Sequence, residues 1–250
     1  MATGTRPTSP RRPMGPETPD TPPLENGDHL TRPEFERRYD AMPNVKKAEL
    51  IEGVVYMPSP VSVRHGESHF DAITWLGLFR ASTPGVRGGD NSSIRLDVDN
   101  MPQPDACLLI DPAHGGRARI SGDNFIEGAP ELIVEIATSS ANYDLHEKLD
   151  VYRRNEVVEY VVWRTRDAEI DWFVLREGRY EPLARSPEGY YRSEVFPGLW
   201  LDPGAMIRGD LAAVLRVAQQ GLQTPEHAGF VDRLRRQAAE RAGQEGGRRP

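Results

Sequence analysis

Two acidic residues interrupt or precede stretches of the chain that are otherwise apolar and strand-sized. Asp105 directly precedes Ala106–Ile110, and Glu135 lies within Leu132–Ala137. An ionised carboxylate in such a strand carries a large desolvation cost unless a cation pairs with it. If the two strands are neighbours, the two carboxylates could hold one hard cation, and oxygen ligands of this kind suit Mg²⁺. The pattern therefore predicts a metal site shared by two strands.

A lysine follows the second acidic strand. Of 31 basic residues only three are lysines, namely Lys46, Lys47 and Lys148. Lys148 lies in the helix predicted after the second strand, from which its ammonium could reach back to the strand end and meet an anion or an attacking water. In a chain that favours arginine so strongly, a compact ammonium at this position indicates a specific role.

Each of these residues also has a simpler interpretation. Asp105 could cap a turn at the start of a strand. Glu135 could lie at an exposed sheet edge, and Lys148 could belong to a solvated helix face. The combination of all three favours a functional site over these separate structural roles.

Other reactive residue types fit less well. His65 and His69 could share one helix face, but the glutamate between them is not at the zinc-protease position, which disfavours a histidine metal site. Cys107 alternates with Asp105 along its strand and is interpreted as a small core residue. A single cysteine excludes an internal disulfide framework.

Strands and helices alternate along the chain in an order that predicts an α/β fold with one mixed sheet. Gly85–Gly89 is expected to be a turn, and Asp144 is expected to begin the helix that carries Lys148. The predicted helices are 31–39, 64–81, 144–155, 211–220 and 224–242, and the predicted strands are 48–57, 93–98, 105–110, 131–137, 159–164 and 169–175.

Composition divides the 250 residues into three parts. Residues 1–30 are proline-rich and nearly free of large apolar side chains, which predicts a disordered tail. Residues 31–208 form the predicted folded domain, and residues 209–250 a C-terminal helical arm. No stretch is long and apolar enough for a membrane span, and no signal-peptide pattern is present, so the expected location is the cytoplasm.

Six short segments stand in a fixed order along the chain. They are Glu49-Leu50-Ile51-Glu52-Gly53, Met57-Pro58-Ser59-Pro60 with His65, Pro104-Asp105, Gly128–Ile136, Asp144–Tyr152 and Val157–Val162. In this order and spacing the sequence resembles the Uma-type putative restriction endonucleases of the PD-(D/E)XK nuclease superfamily. The resemblance covers roughly residues 30 to 205.

The resemblance implies a restriction-endonuclease-like fold, with a central mixed β-sheet flanked by helices and C-terminal helices added. Asp105 matches the acid of the first motif, Glu135 the acid of the second, and Glu49 a further acid on the first strand. The superfamily's usual lysine position is Ala137 here, and Lys148 matches the lysine that Uma-type sequences carry on the next helix.

The implied reaction is metal-assisted hydrolysis of DNA phosphodiester bonds. Mg²⁺, with Mn²⁺ as a substitute, would be held by Asp105 and Glu135, with Glu49 and the carbonyl of Ile136 as further ligands. Lys148 would orient or activate the attacking water, and Asp144 would cap its helix. Double-strand cleavage favours a homodimer, although the sequence identifies no interface.

The charge of the chain opposes this function. A net charge of −7 is unusual for a protein that grips duplex DNA, and it predicts weak or local DNA binding. The alternative is a catalytically inactive relative of the nuclease fold that acts as a binding or regulatory module.

Overall fold

The computed structural model describes residues 21–57, 61–138 and 140–246. Residues 58–60, which belong to one of the motif segments above, lie outside the described residues. The α-helices are α1 (Arg32–Asp40), α2 (Val63–Ser82), α3 (Ala141–Leu145), α4 (Glu147–Arg154), α5 (Pro203–Ile207), α6 (Leu211–Leu222) and α7 (Pro225–Gly246).

The strands are short, and those of the main sheet are the longest. They are β1 (Glu49–Ile51), β2 (Val54–Tyr56), β3 (Val86–Asp90), β4 (Ile94–Arg95), β5 (Ala106–Ile110), β6 (Arg119–Ile120), β7 (Ile126–Glu127), β8 (Leu132–Ala137), β9 (Glu159–Arg164), β10 (Glu169–Arg176), β11 (Arg179–Pro182), β12 (Tyr191–Arg192) and β13 (Trp200–Leu201).

A six-stranded mixed sheet with the order β11-β10-β9-β8-β5-β3 is the centre of the fold. Only β8 and β9 run parallel, because α3 and α4 connect them as a crossover. Every residue of β8 is buried, since helices or hairpins cover both faces of the sheet. This confirms the predicted mixed sheet flanked by helices.

The two faces of β8 contact different cores. Val134 and Ile136 pack with α2 and the C-terminal helices, whereas Ile133 and Ala137 pack with residues of α4 and β1. Because side chains alternate along a strand, Glu135 lies on the face that α4 and β1 cover. The fold therefore places Glu135 on the side of the sheet that α4 and β1 cover.

A second buried glutamate lies on the neighbouring strand. Glu159 at the start of β9 has no exposed surface and accepts four hydrogen bonds. The donors are Ser193 Oγ at 2.7 Å, Trp172 Nε1 at 3.2 Å, and the backbone N–H groups of Glu194 at 2.6 Å and Val195 at 3.1 Å. Glu159 therefore ties the 193–195 loop to the sheet.

The structure differs from the sequence prediction at β3. Gly85–Gly89 was expected to be a turn, but Val86–Asp90 is the edge strand of the main sheet, and the predicted strand 93–98 shortens to β4. The glycines permit close contact with β5, because a Cβ on Gly89 would lie 2.8 Å from Cys107 Sγ. Cys107 itself is a buried core residue, as predicted.

Residues 21–30 also differ from the predicted tail. Leu24 is buried against Phe35 and Leu50, and the N–H of Leu30 donates to the carbonyl of Gly53 at 2.7 Å. The buried leucine and backbone hydrogen bonds together attach this segment to the β1–β2 hairpin. Residues 1–20 lie outside the described residues.

The C-terminal helices pack on the α2 face of the sheet. Val214 of α6 and Phe230 and Leu234 of α7 belong to the larger core, and Trp75 Nε1 donates to the carbonyl of Trp200 at 2.8 Å. Beyond Ala239 the described side chains of α7 are exposed. None of the described helices is long and apolar enough to cross a membrane.

Candidate active site

Asp105 and Glu135 are brought together by the antiparallel register of β5 and β8. Ala106 lies opposite Val134, so the next position outward on each strand places Asp105 beside Glu135, on the face covered by α4. The N–H of Ile136 donates to Asp105 Oδ2 at 2.8 Å. Asp105 and Glu135 are only 4% and 3% exposed, so both carboxylates need compensating partners.

Lys148 supplies the compensation for Glu135. It lies in the first turn of α4, and its Nζ is 2.9 Å from Glu135 Oε1 and 2.9 Å from Glu49 Oε1. Burial alone would lower the pKa of Lys148, but the carboxylates of Glu135, Glu49 and Asp144 raise it well above its ordinary value. The ammonium is therefore a fixed positive charge between Glu135 on β8 and Glu49 on the β1–β2 hairpin.

Glu135 is surrounded by other carboxylates in addition to this lysine. Burial raises the pKa of Glu135, Lys148 opposes the rise, and the carboxylates of Asp105, Asp144 and Glu49 add to it. The hydroxyl of Tyr152 donates to Glu135 Oε1 at 2.8 Å. A further cation at this position would relieve the repulsion among the acids.

The other side of Asp105 faces two basic side chains. Lys47 Nζ is 3.4 Å and His65 Nε2 is 3.5 Å from Asp105 Oδ1. Burial raises the pKa of Asp105, but the hydrogen bond from His65, the charge of Lys47 and the N–H of Ile136 lower it well below its ordinary value. Asp105 is thus held as a carboxylate.

Both histidines of α2 reach the first acid. They are one turn apart, and His69 Nε2 lies 2.9 Å from the carbonyl oxygen of Asp105 and 3.2 Å from Asp90 Oδ1. The hydrogen bond to Asp105 raises the pKa of His65, which burial opposes, and a hydrogen bond to the backbone of Ile136 adds to the rise. Both histidines therefore contact Asp105, His65 at its carboxylate and His69 at its backbone carbonyl.

Asp144 does not cap the helix of Lys148, contrary to the sequence prediction. The backbone leaves the helical conformation at His146, with φ −125° and ψ −77°, so that Asp144 lies in the last turn of α3 and α4 begins at Glu147. Its carboxylate accepts a hydrogen bond from Ser140 Oγ at 2.5 Å and lies 3.9 Å from Lys148 Nζ. Burial raises the pKa of Asp144.

Two buried polar atoms beside this group have no hydrogen-bond partner within the described chain. They are the side-chain oxygen of Gln103 and the hydroxyl of Tyr143. The N–H of Gln103 donates to Glu49 Oε1 at 2.7 Å, and the Tyr143 ring lies 5.6 Å from Lys148 Nζ. Unsatisfied buried atoms of this kind indicate room for a further ligand.

The donor chemistry of the site fits a hard divalent cation. Asp105 and Glu135 supply carboxylate oxygens, and Mg²⁺ prefers oxygen ligands. Among the residues that the structure describes, no group of three or more His, Cys, Asp and Glu side chains is arranged to hold a metal ion. The side chains in this structure pair with lysine, histidine and tyrosine instead.

The sequence reasoning identified Asp105, Glu135, Glu49 and Lys148, and the structure brings all four together. It missed the contacts of Lys47 and Tyr152 and the unpaired oxygen of Gln103. The scarcity of lysine offered a signal for Lys47, since it is one of only three. The other two contacts depend on packing and carry no comparable signal.

Comparison with known proteins agrees with this geometry. The family model Uma2, described as "Putative restriction endonuclease", matches residues 32–204. A solved structure of a putative nuclease belonging to DUF820 from Anabaena variabilis superposes with a TM-score of 0.55 at 12% identity, covering 69% of this chain and 97% of that one. No curated protein matches the chain.

The structural likeness confirms the nuclease-like fold that the sequence predicts. The family match spans the strands and helices that carry all the acids and the lysine described above. This chain therefore belongs to the Uma2 family of putative restriction endonucleases.

Proposed function

We propose that this protein is a Mg²⁺-dependent endonuclease that hydrolyses DNA phosphodiester bonds. The observation that supports it is the buried group of Asp105, Glu135 and Lys148 on two adjacent strands and the following helix. Such a charged group is costly to bury and contributes little to stability by itself, which favours a chemical role. The family of nucleases to which the chain belongs supplies the reaction class.

Asp105, Glu135 and the backbone carbonyl of Ile136 would hold the metal ion, with Mn²⁺ as a substitute for Mg²⁺. A bound ion of this kind lowers the pKa of a water and neutralises charge on the scissile phosphate. The fit rests on oxygen donor chemistry and on the excess of negative charge around Glu135.

The residues of the chain itself supply the remaining steps. Lys47 and His65 keep Asp105 ionised and ready to bind a cation. Lys148 fixes Glu135 and Glu49 and provides a positive charge that offsets the negative charge developing in the transition state. Tyr152 orients the Glu135 carboxylate through a 2.8 Å hydrogen bond.

DNA contact is expected to be local and sensitive to salt. The chain has a net charge of −7, so general attraction to the phosphate backbone is weak. Lys47 and His65, which flank Asp105, are the nearest basic groups for a phosphate of the substrate.

The test is a cleavage assay on supercoiled, linear and single-stranded DNA with Mg²⁺, Mn²⁺ or EDTA. We expect metal-dependent cleavage that Glu135→Gln abolishes. The matched control is Glu159→Gln, which changes an equally buried glutamate on the next strand that contacts neither Lys148 nor Asp105. Calorimetric titration of Mg²⁺ into both variants reports metal binding independently of activity.

The outcome also separates the enzyme from an inactive binding module. Cleavage lost in Glu135→Gln and kept in Glu159→Gln supports the endonuclease. Absence of cleavage on all three substrates, together with no Mg²⁺ binding by the unmodified protein, would show that the nuclease proposal is wrong.

A further inference from the structure

A groove separates the edge strand β3 from the β6–β7 hairpin. Its volume is about 280 Å³, close to the lower end, about 300 Å³, of the range for sites that bind small molecules. One wall consists of β3 and the turn after it, where Arg87, Ser92 and Ser93 lie. The other wall consists of the hairpin, where Asn124 and Phe125 lie. We call this cavity the β3 groove.

The β3 groove continues directly from the candidate active site. The N–H of Asn91 donates to the carbonyl of Asp105, and the register places Arg87 opposite Leu109, four residues further along each strand. Because alternate side chains of a strand share a face, Asp105 and Leu109 point to the same side of the sheet. At about 3.4 Å per residue, the groove extends to about 14 Å from Asp105. A polymer whose reacting group lies at Asp105 would therefore enter the groove with its next units.

The β3 wall of the groove offers hydrogen-bond donors for phosphate oxygens. Arg87 is half-exposed, and Asp111 Oδ2, its carboxylate neighbour, lies 3.6 Å away, beyond hydrogen-bond distance. The odd-numbered residues of β3 bond to β5, as the N–H of Asn91 shows, so the N–H of Gly88 points away from the sheet. None of the described side chains that line the groove is acidic, although the whole chain has a net charge of −7.

Gly88 has no evident structural requirement within the described chain. A Cβ at this position would have Cδ of Arg80 as its nearest neighbour, at an ordinary contact distance of 3.4 Å. Gly89 differs, because a Cβ there would lie 2.8 Å from Cys107 Sγ. A glycine inside a strand weakens it and often marks a position where a ligand approaches the backbone closely. Gly88, at the sheet edge beside the groove, therefore indicates such an approach.

The side of the groove opposite these donors is apolar. Leu109, Ile120 and Ile126 line it, and the ring of Phe125 lies with them. A nucleotide combines an anionic phosphate with a flat base, and proteins bind unpaired strands through basic groups for the phosphate and apolar surfaces for the base. A duplex, whose major groove alone is about 12 Å wide, does not fit into a cavity of this volume, whereas one unpaired strand does.

We propose that the β3 groove binds an unpaired stretch of the DNA strand beside the scissile phosphate. Arg87 and the N–H of Gly88 contact a phosphate, and the apolar side contacts a base. The inference rests on the proposed endonuclease for the identity of the polymer, and it adds that the preferred substrate is single-stranded at this point. It also accounts for DNA binding by an acidic protein, since a few contacts to one strand replace a broad basic surface.

The test compares one fluorescently labelled oligodeoxynucleotide as a single strand and as a duplex. Fluorescence anisotropy in EDTA measures binding without metal or cleavage, and we expect the single strand to bind at least about tenfold more tightly. Arg87→Ala should weaken single-strand binding about fivefold to tenfold. Arg87→Lys should restore part of the affinity, because it keeps the charge without the guanidinium's paired donors. Arg216→Ala is the matched control, since Arg216 is exposed on α6, on the other face of the sheet.

A second variant fills the groove without changing any charge. Ser93→Leu adds an apolar side chain at a partly buried position of the β3 wall and should weaken single-strand binding to a similar degree. Calorimetric titration of Mg²⁺ into Arg87→Ala and Ser93→Leu should match the unmodified protein, because neither residue belongs to the acids and lysine of the site. Circular dichroism verifies that each variant is folded.

Equal affinity for the single strand and the duplex would overturn the proposal. Single-strand binding that Arg87→Ala and Ser93→Leu leave unchanged would overturn it as well. These results are separate from those for cleavage: if the single strand binds as described but no DNA is cleaved, the groove stands and the endonuclease proposal fails. If both forms of DNA are bound and cleaved equally well, the endonuclease stands and the groove proposal fails.

Discussion

Glu135 and Glu159 lie on neighbouring parallel strands and are both almost completely buried, but their surroundings are opposite. Glu159 accepts four hydrogen bonds from neutral donors and has no adjacent carboxylate among its contacts. Glu135 contacts the ammonium of Lys148 and lies close enough to Asp105, Asp144 and Glu49 for their charges to raise its pKa.

The difference separates an acid with a structural role from the acid that we propose as a metal ligand. Glu159 holds a loop through four hydrogen bonds from neutral donors. The acids around Glu135 outnumber their cation, and unpaired polar atoms remain beside them. Burial of an acid by itself therefore does not identify a site, whereas several acids competing for one lysine do.

Removing the lysine should give the largest effect. In Lys148→Met we expect cleavage to fall about 10³-fold or more and the free energy of unfolding to fall by about 3–5 kcal/mol, because buried carboxylates lose their cation. DNA cleavage and thermal unfolding measure the two effects.

Lys46→Met is the matched control, since Lys46 is exposed. Adding Glu49→Gln to Lys148→Met should restore part of the stability without activity. A Lys148→Met variant as stable as the unmodified protein would contradict the view that this lysine compensates the acids.

The contribution of Glu159 to the free energy of unfolding is expected to depend on pH. Burial raises the pKa of Glu159 from 4.5 to about 7, although its four donors lower it. Because the folded-state pKa lies above the unfolded value, the native state binds the extra proton, and the contribution of Glu159 to stability is lost as pH rises from about 4.5 to about 7.

Glu159→Gln does not titrate, so its stability relative to the unmodified protein should increase by up to roughly 3 kcal/mol between pH 5 and pH 8. Thermal unfolding across this range measures the difference. A difference that stays constant with pH would show that Glu159 is already ionised throughout.

Weakening the loop attachment should give a smaller effect on stability and none on chemistry. Ser193 Oγ donates to Glu159 at 2.7 Å and accepts from the N–H of Phe196 at 2.9 Å. Ser193→Ala is therefore expected to cost about 1–2 kcal/mol in unfolding free energy while cleavage stays unchanged. Loss of cleavage in Ser193→Ala would instead show that Glu159, like Glu135, contributes to the reaction.

The smallest effect is expected at the tyrosine that contacts Glu135. Tyr152→Phe removes one hydrogen bond to Oε1 of Glu135 and keeps the ring that packs at 4.9 Å from Tyr160. We expect a loss of about fivefold to tenfold in cleavage, equivalent to about 1 kcal/mol. Tyr180→Phe, which removes a hydroxyl bound to the carbonyl of Val157, should not change cleavage.

Much of the site could be predicted because its residues break local patterns. Asp105 and Glu135 stand out against apolar strands, and Lys148 stands out in a chain of arginines. The mixed sheet followed from the order of strands and helices. These signals are local, and periodicity and composition detect them.

The rest depends on contacts between distant segments. The edge strand β3 was predicted as a turn because Gly88 and Gly89 disfavour strands, and only their closeness to β5 explains them. Leu24 is a core residue because the β1–β2 hairpin offers it a pocket. Asp144 differs from its predicted capping role because the chain bends at His146, which no capping signal announces.

The ion pair between Lys148 and Glu49 joins residues 99 positions apart in the chain. During synthesis the N-terminal segments emerge from the ribosome first, so the hairpin with Glu49 and the strand with Asp105 are exposed long before Lys148 is made. The charged group cannot assemble until α4 has been translated and has folded against β8. A nascent chain truncated before that helix would carry all four acids, Glu49, Asp105, Glu135 and Asp144, without the lysine that compensates them.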